Sequence, residues 1–190
     1  MTKHLLVIGG SLGGLDAAKL VLSELEPSFP DPVLVVLHRA RTSQGQAMTR
    51  SVEQATELPV CEAEDKMSLK EGRIHIAPAD YHLFIEGGMV TLSFDEPVRF
   101  SRPSIDVAFE SVALCYGSRT IGVVLSGSNA DGSIGAAAIS DAGGRVFVQD
   151  PSTAPATEMP EAAIAAVPAA RVLSAAKIGK AINDLRRSER

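Results

Sequence analysis

The 190-residue sequence has little of what several classes of protein require. It contains two cysteines, Cys61 and Cys115, which lie far apart and lack the short spacing of metal ligands. We therefore expect both to be reduced, buried and structural. The formal net charge is −5 at pH 7. Because proteins that bind phosphate backbones normally present a basic face, we expect no nucleic-acid partner.

No apolar run is long enough to form a signal core or to span a membrane. The opening stretch MTKHLLVIGG breaks into glycines after a few apolar residues. Repeats, long linkers and low-complexity tracts are absent as well. We expect a cytoplasmic protein without membrane insertion, with residues 1–190 forming a single domain.

Strand and helix patterns alternate along the chain. The runs HLLVIGG, PVLVVLH and TIGVVLSG are continuously apolar, as parallel strands buried on both faces are. Short β-like runs separated by PAD and EGG indicate a β-hairpin around residues 73–95. Helices are predicted over SIDVAFESVALCYG, SIGAAAISDAGG, MPEAAIAAV and AAKIGKAINDLRRSER. The predicted fold is α/β: a mostly parallel, doubly wound, Rossmann-like sheet in a three-layer α/β/α arrangement, with the hairpin as an insertion.

Three reactive side chains follow apolar runs. Ser11 comes after the first run, His38 after the second, and Asp131 after TIGVVLSG. In open α/β sheets, catalytic groups collect where strands end and the chain turns toward the next helix. A serine, a histidine and an aspartate at three strand ends are the components of an acyl-transfer triad.

The stretch GGSLG has other interpretations. A dinucleotide-binding turn needs glycine where Ser11 stands, and an acidic residue after the next strand, where His38 stands. Both requirements fail. The stretch matches G-x-S-x-G, but hydrolases with that elbow place the acid before the histidine, which is the reverse of the order here. Taken alone, Ser11 is either a nucleophile or the cap of a helix.

The chain-wide pattern favours the nucleophile. VIGGSLGGLDA, VVLHRA, GRIHIAPADYHLFI, RPSIDVAFESVA, GVVLSGSNADGSIGAAAI and VFVQDPSTAPATEMPEAAI occur in this order. Together they resemble the catalytic domain of bacterial chemotaxis protein-glutamate methylesterases, the effector half of a response regulator, over about residues 5–182. The resemblance implies that Ser11 is the nucleophile, His38 the general base and Asp131 the acid that orients the base.

The resemblance also implies an activity and partners. The family hydrolyses methyl esters on receptor glutamates, deamidates receptor glutamines, and uses no metal or organic cofactor. We therefore expect a methylated receptor-like protein as the substrate. Because the first strand begins within a few residues of Met1, we expect no receiver domain, and any regulator would act in trans.

The residues around the predicted triad depart from the family pattern. Leu12 stands where the family usually has threonine, and SGSNADG replaces a T-G-M-G-x-D-G turn, so that Ser128 and Asn129 stand for methionine and glycine. We expect Leu12, Ser128, Asn129 and Arg39 to form the oxyanion pocket and the substrate rim. Arg39, Arg41 and Arg50 occur in a segment without acids, which predicts a basic rim suited to an acidic helical substrate.

Two alternatives remain open from the sequence. The altered turn is compatible with a non-catalytic signalling or binding module that keeps the fold, and an intact triad is compatible with an esterase for an unrelated small ester. His75 and His82 are expected to be packing or surface residues. Arg102, Ser104 and Asp106 in RPSID lie either near the active face or at a helix N-terminus capped by Ser104.

Overall fold

Seven parallel strands form the central sheet of the computed structural model, which describes residues 4–39 and 45–189. In chain order, the strands are β1 (Leu5–Gly10), β2 (Val33–Leu37), β3 (Val60–Glu62), β4 (Ile74–Ile76), β5 (His82–Glu86), β6 (Met89–Ser93), β7 (Thr120–Val124), β8 (Arg145–Gln149) and β9 (Arg171–Leu173). The spatial order of the sheet is β3-β4-β2-β1-β7-β8-β9. β5 and β6 form a separate antiparallel hairpin.

Helices cover both faces of the sheet. They are α1 (Gly14–Ser23), α2 (Gly45–Glu53), α3 (Ile105–Tyr116), α4 (Ser133–Asp141), α5 (Glu158–Ala166) and α6 (Ala175–Ser188). Successive residues of a strand face opposite sides. Leu6 and Ile8 of β1 therefore pack with α1 and α6, whereas Leu5 and Val7 pack with α3, α4 and α5. The result is a three-layer sandwich with two apolar cores.

The predicted α/β sandwich with a hairpin insertion is confirmed, and two details differ. Residues 74–76 belong to the main sheet as β4, so the hairpin begins only at His82. The strand β9 was not predicted. β4 and β9 are each three residues long, which is too short to produce a distinctive apolar run, and β9 is also largely exposed.

The strand order determines where a site forms. The chain winds from β1 to β2 on one side and later returns through β7 on the other, so β1 lies between the two. A crevice opens at the carboxyl ends of strands where such a reversal occurs. The first turn of α3 lies directly against the end of β1, because a Cβ added to Gly9 would be 2.4 Å from Cγ2 of Ile105.

The first and last described elements meet on the α1–α6 side. Nε2 of His4 lies 3.3 Å from Oε2 of Glu189. Beside this contact, Nε of Arg186 donates to Oδ2 of Asp31 at 2.5 Å, and both side chains are buried. None of the described helices is long and apolar enough to cross a membrane.

Candidate active site

The structure brings Ser11, His38 and Asp131 together at the ends of three adjacent strands. Oγ of Ser11 is 3.1 Å from Nδ1 of His38, and Nε2 of His38 is 2.7 Å from Oδ2 of Asp131. The three residues follow β1, β2 and β7. One continuous chain of hydrogen bonds therefore runs from a hydroxyl to a buried carboxylate.

The turn after β1 fixes the position of Ser11. The Ser11 N–H donates to the carbonyl of Ser126 at 2.9 Å, and the Ser11 carbonyl accepts from the Gly14 N–H at 2.8 Å. Gly13 has a φ of 75°, in the left-handed region that favours glycine. These contacts leave the Ser11 side chain half-buried at the start of α1 and directed at the imidazole.

The buried Asp131 carboxylate determines which nitrogen of His38 carries the proton. A carboxylate is an acceptor, so the Nε2 hydrogen is directed at Asp131 and the lone pair is left on Nδ1. Nδ1 is therefore the acceptor for the Ser11 hydroxyl. Trypsin-like proteases use the two ring nitrogens in the opposite order.

Asp131 is completely buried at the N-terminus of α3. Its Oδ1 accepts from Oγ of Ser104 and from the Asp106 N–H, each at 2.9 Å, and its Oδ2 accepts from the Ile105 N–H at 2.8 Å. Burial alone would raise the pKa of Asp131, but the hydrogen bonds from His38 and the backbone outweigh it and hold the pKa below its ordinary value. The carboxylate therefore stays ionised beside the imidazole.

A second carboxyl lies next to Asp131 on the first turn of α3. Oδ1 of Asp106 accepts from the N–H groups of Gly132 at 2.8 Å and Gly135 at 2.9 Å. Burial and, to a smaller extent, the charge of Asp131 raise the pKa of Asp106 to about 6, against the opposing effect of the two backbone hydrogen bonds. Asp106 thus connects α3 to the loop that carries Asp131.

The turn at residues 98–101 was not anticipated as part of the site. Oγ of Ser101 lies 3.2 Å from Nδ1 of His38, so this nitrogen has two hydroxyl neighbours. The contact depends on a loop folding back from the hairpin, for which no local pattern exists. The RPSID motif, which follows Ser101 directly, was predicted to lie near the active face or at a helix N-terminus. Both descriptions apply, because Ser104 caps α3 and also donates to Asp131.

The predicted rim residues lie around the triad in different ways. Leu12 is 61% exposed, and Ser128 is exposed on the neighbouring loop. Asn129 contributes inside the loop, where its Oδ1 accepts from the Asp131 N–H at 3.1 Å. Oγ of Ser126 donates to the Leu12 carbonyl at 2.7 Å and so ties the two loops together.

Arg39 does not fit the exposed basic rim that the sequence led us to expect. Its side chain is only 1% exposed, and Nη1 donates to Oε1 of Glu62 at 3.2 Å and to the Ala77 carbonyl at 3.1 Å. Its charge is therefore paired inside the protein. Arg50 is exposed on α2, and Arg41 lies outside the described residues.

The histidines and cysteines outside the site are structural. His75 and His82 are buried and hydrogen-bonded to backbone groups, as in the carbonyl contacts to Val33 and Glu96. Cys61 and Cys115 are free thiols, but half-buried rather than buried. Within residues 4–39 and 45–189, no three His, Cys, Asp or Glu side chains are grouped so as to hold a metal ion.

A small cavity of about 110 Å³ adjoins the triad. It is lined by His38, Arg39, Pro97, Phe100, Ser101 and Arg102. Larger cavities of about 290 and 470 Å³ lie elsewhere, between β8 and the 167–171 loop and between the hairpin and α3. They contain none of the triad residues.

Comparisons with known proteins agree with this geometry. The family model described as CheB methylesterase matches residues 6–182. A putative protein-glutamate methylesterase/protein-glutamine glutaminase of Leptospira interrogans is 41% identical, over 95% of this chain and 93% of its own length. Protein-glutamate methylesterase/protein-glutamine glutaminase 2 of Anaeromyxobacter dehalogenans is 39% identical over 97% of this chain but only 54% of its own length, so the chain spans about half of that relative.

A solved structure is similar as well. The crystal structure of the Thermotoga maritima CheB methylesterase catalytic domain superposes with a TM-score of 0.90 at 32% identity. The match covers 97% of this chain and all of that one. Sequence and structure therefore agree over the same residues, including the strand ends that carry the three hydrogen-bonded side chains.

Proposed function

Because the chain belongs to the CheB methylesterase family, we propose that it is a serine esterase that hydrolyses glutamate γ-methyl esters on chemotaxis receptor-like proteins. The observation that carries the proposal is the chain of hydrogen bonds from Ser11 through His38 to Asp131. A serine hydroxyl is a poor nucleophile until a neighbouring base takes its proton. Here that base is Nδ1 of His38.

The first half of the reaction forms an acyl-enzyme. Nδ1 of His38 takes the proton of Ser11 as Oγ attacks the ester carbonyl carbon. Asp131 stabilises the resulting imidazolium without taking a proton itself. When the tetrahedral intermediate collapses, the bond to the methoxy oxygen breaks, and Nδ1 returns the proton to give methanol.

The second half releases the product. Water gives a proton to Nδ1 and attacks the acyl carbon, and the departing Oγ of Ser11 takes the proton back. The product is a glutamic acid side chain, which gives its proton to solvent and leaves as the carboxylate. A glutamine side chain follows the same route, with ammonia in place of methanol, which accounts for the deamidation named in the relatives.

We propose that backbone N–H groups from two loops stabilise the oxyanion. Among the described residues, no acceptor receives the N–H of Leu12 or of Ser128, whereas that of Ser11 is occupied by Ser126. The bond from Ser126 to Leu12 holds the two loops side by side. Donors fixed in advance of the reaction cost little reorganisation when charge develops on the oxygen.

The proposal includes a setting for the reaction. Residues 1–190 act as one catalytic domain in the cytoplasm, the substrate is a methylated protein, and a regulator, where one is needed, acts in trans. This setting rests on the family of the chain.

Covalent labelling with a fluorophosphonate tests the nucleophile. We expect wild-type protein to be labelled at Ser11 and to release methanol from a methylated chemoreceptor cytoplasmic domain. Ser11→Ala should abolish both, with little change in Tm, since one hydroxyl at a half-buried turn contributes little to the core. Ser23→Ala, at an exposed position on α1, is the matched control and should keep both activities.

The position of the label is decisive because Nδ1 has a second hydroxyl neighbour. A label mapped by mass spectrometry to Ser101 would contradict the assignment of Ser11. Protein that takes no label at either serine would instead be a non-catalytic module. Labelling and small-ester hydrolysis without methanol release from methylated protein would indicate an esterase for a different ester.

A further inference from the structure

The turn at residues 98–101 has an unfavourable backbone conformation. The N–H of Val98 donates to the Ser101 carbonyl at 3.2 Å, and the N–H of Ser101 donates back at 2.9 Å. The two central residues, Arg99 and Phe100, have φ values of 48° and 64°. A two-residue turn of this kind favours Asn-Gly, because side chains with a Cβ are disfavoured at positive φ. The sequence nonetheless places two large side chains there.

Contacts on both sides hold this turn against the triad. Oγ of Ser101 is 3.2 Å from Nδ1 of His38. Nε of Arg99 is 3.6 Å from Oδ2 of Asp106, on the first turn of α3. The turn is therefore fixed relative to the reacting groups, and the Phe100 side chain at its tip is exposed to solvent.

The tip presents an aromatic ring that is fully exposed. Phe100 has no shielding from the rest of the protein, yet it lines the cavity that His38 also lines. Phe94 and Tyr81 are exposed close by, with ring centroids 5.6 Å apart, and the guanidinium of Arg102 lies 3.8 Å from the centroid of Phe94. Arg102 borders the cavity too, so its guanidinium connects the cavity to the ring of Phe94.

We propose that Phe100 is a specificity-determining residue that binds a large aliphatic side chain of the substrate, one helical turn from the esterified glutamate. This inference rests on the proposed function. When the ester carbonyl is at Oγ of Ser11, the substrate chain must lie over the adjacent surface, where the ring of Phe100 is the most exposed apolar group and Leu12 is exposed as well. On a helix, residues four positions apart face the same side, so the ester and its aliphatic neighbour reach Ser11 and Phe100 together.

The strained backbone supports a role for the ring itself. Glycine at position 100 would form the same turn with less strain and would still place Ser101 beside His38. Strain that is kept at a site where the side chain packs against nothing in its own molecule is typical of a functional position. The ring gains burial only when another molecule covers it.

Two synthetic helical peptides test the inference. Each carries one glutamate γ-methyl ester, and they differ only in leucine or serine four residues away. We expect wild-type protein to release methanol from the leucine peptide with a kcat/KM about tenfold higher, as partial burial of a leucine side chain predicts. Phe100→Gly should reduce that preference to within twofold. Phe100→Leu, which keeps an apolar side chain, should retain most of it.

Stability and a control variant separate recognition from folding. The Tm of Phe100→Gly should not fall below that of the wild type, because glycine adopts a φ of 64° without strain. Leu114→Ala removes another highly exposed apolar side chain, on α3, and should leave the peptide preference unchanged. A leucine preference that persists in Phe100→Gly, or no preference in the wild type, would overturn the inference. Wild-type protein that hydrolyses neither peptide nor methylated receptor would instead contradict the proposed function.

Discussion

At the scale of single residues, the carboxylate of Asp131 controls how the imidazole is used. Each of its oxygens accepts two hydrogen bonds, and each pair includes one backbone N–H. All four donors are therefore matched by acceptors in a buried place, where an unmatched donor would be costly. The same arrangement keeps the lone pair of His38 on Nδ1, the nitrogen that faces the hydroxyls of Ser11 and Ser101.

Asp131→Asn should reduce methanol release by roughly 10⁴-fold, the effect of losing the correct imidazole tautomer in other triads. It should also lower the free energy of unfolding by about 1–3 kcal/mol, because the amide NH₂ must face a backbone N–H whichever way it turns. Stopped assays of methanol and urea denaturation measure the two effects. A loss of only a few-fold in rate would make Asp131 a structural turn residue.

At the scale of elements, the first turn of α3 connects the triad to α4. Its N-terminal N–H groups bind the Asp131 carboxylate, as helix N-termini bind anions generally. Asp106, one residue into the helix, accepts from the start of α4. A movement of α3 would therefore shift Asp131, the His38 ring bonded to it, and the loop that carries Asp131 to α4.

The raised pKa of Asp106 predicts a pH dependence of stability. Because its pKa is about 6 in the native state and near 4 in the unfolded chain, the native state binds the proton more tightly. The Asp106 contribution to the free energy of unfolding should therefore fall as the pH rises from 4.5 to 6.5, by up to about 1.4 kcal/mol per pH unit, whereas His4 and His75, whose pKa values are lowered by burial, contribute a slope of the opposite sign. Asp106→Asn keeps an oxygen for Gly132 and Gly135 and should remove the Asp106 contribution, so that the slope in urea titrations becomes more positive than in the wild type.

The lowered pKa of Asp131 acts in a different window. Its stabilising charge is present above its ordinary pKa and is lost as the pH falls below about 4, so it does not contribute to the slope above 4.5. Asp16→Asn, at an exposed carboxylate on α1, is the control and should leave the slope as in the wild type. If the slope of the free energy of unfolding against pH were the same in Asp106→Asn as in the wild type, Asp106 would not be a group that titrates in this window.

The elements that position the site were predictable because their signals are local. β1, β2 and β7 are continuous apolar runs that end at Ser11, His38 and the loop before Asp131. β4 and β9 are three residues long, and a run that short has the same appearance in a main-sheet strand, a hairpin or a loop. Length and burial therefore set the limit on which strands could be found.

At the scale of the whole molecule, the site depends on contacts that no local pattern encodes. The sequence indicates which residues follow the strands, and the family resemblance supplies their roles. It does not indicate that Arg39 turns inward to Glu62, or that Ser101 returns from beyond the hairpin to His38. Both outcomes depend on pairs of residues that are distant in sequence.

A buried ion pair far from the triad should support stability but not chemistry. Arg186→Ala leaves the buried Asp31 carboxylate without its main partner, and losses of about 3–5 kcal/mol in the free energy of unfolding are typical of such changes. Differential scanning calorimetry should show a lower Tm, and the rate of fluorophosphonate labelling at Ser11 should stay unchanged below that Tm. The double variant Arg186→Met with Asp31→Leu, which removes both charges, should recover much of the loss.

The contact between His4 and Glu189 brings the two ends of the described chain together. The same packed strands and helices could therefore be connected in a different order along the chain. A short peptide joining these neighbouring positions would allow the chain to be opened at the exposed Gly87–Gly88 turn of the hairpin, which is remote in sequence from each triad residue. Read from that new starting point, the reacting residues would follow in the order Asp131, Ser11, His38. The order of a serine, a histidine and an acid along a chain thus depends on how the strands are connected, whereas the chemistry depends only on which strands are neighbours.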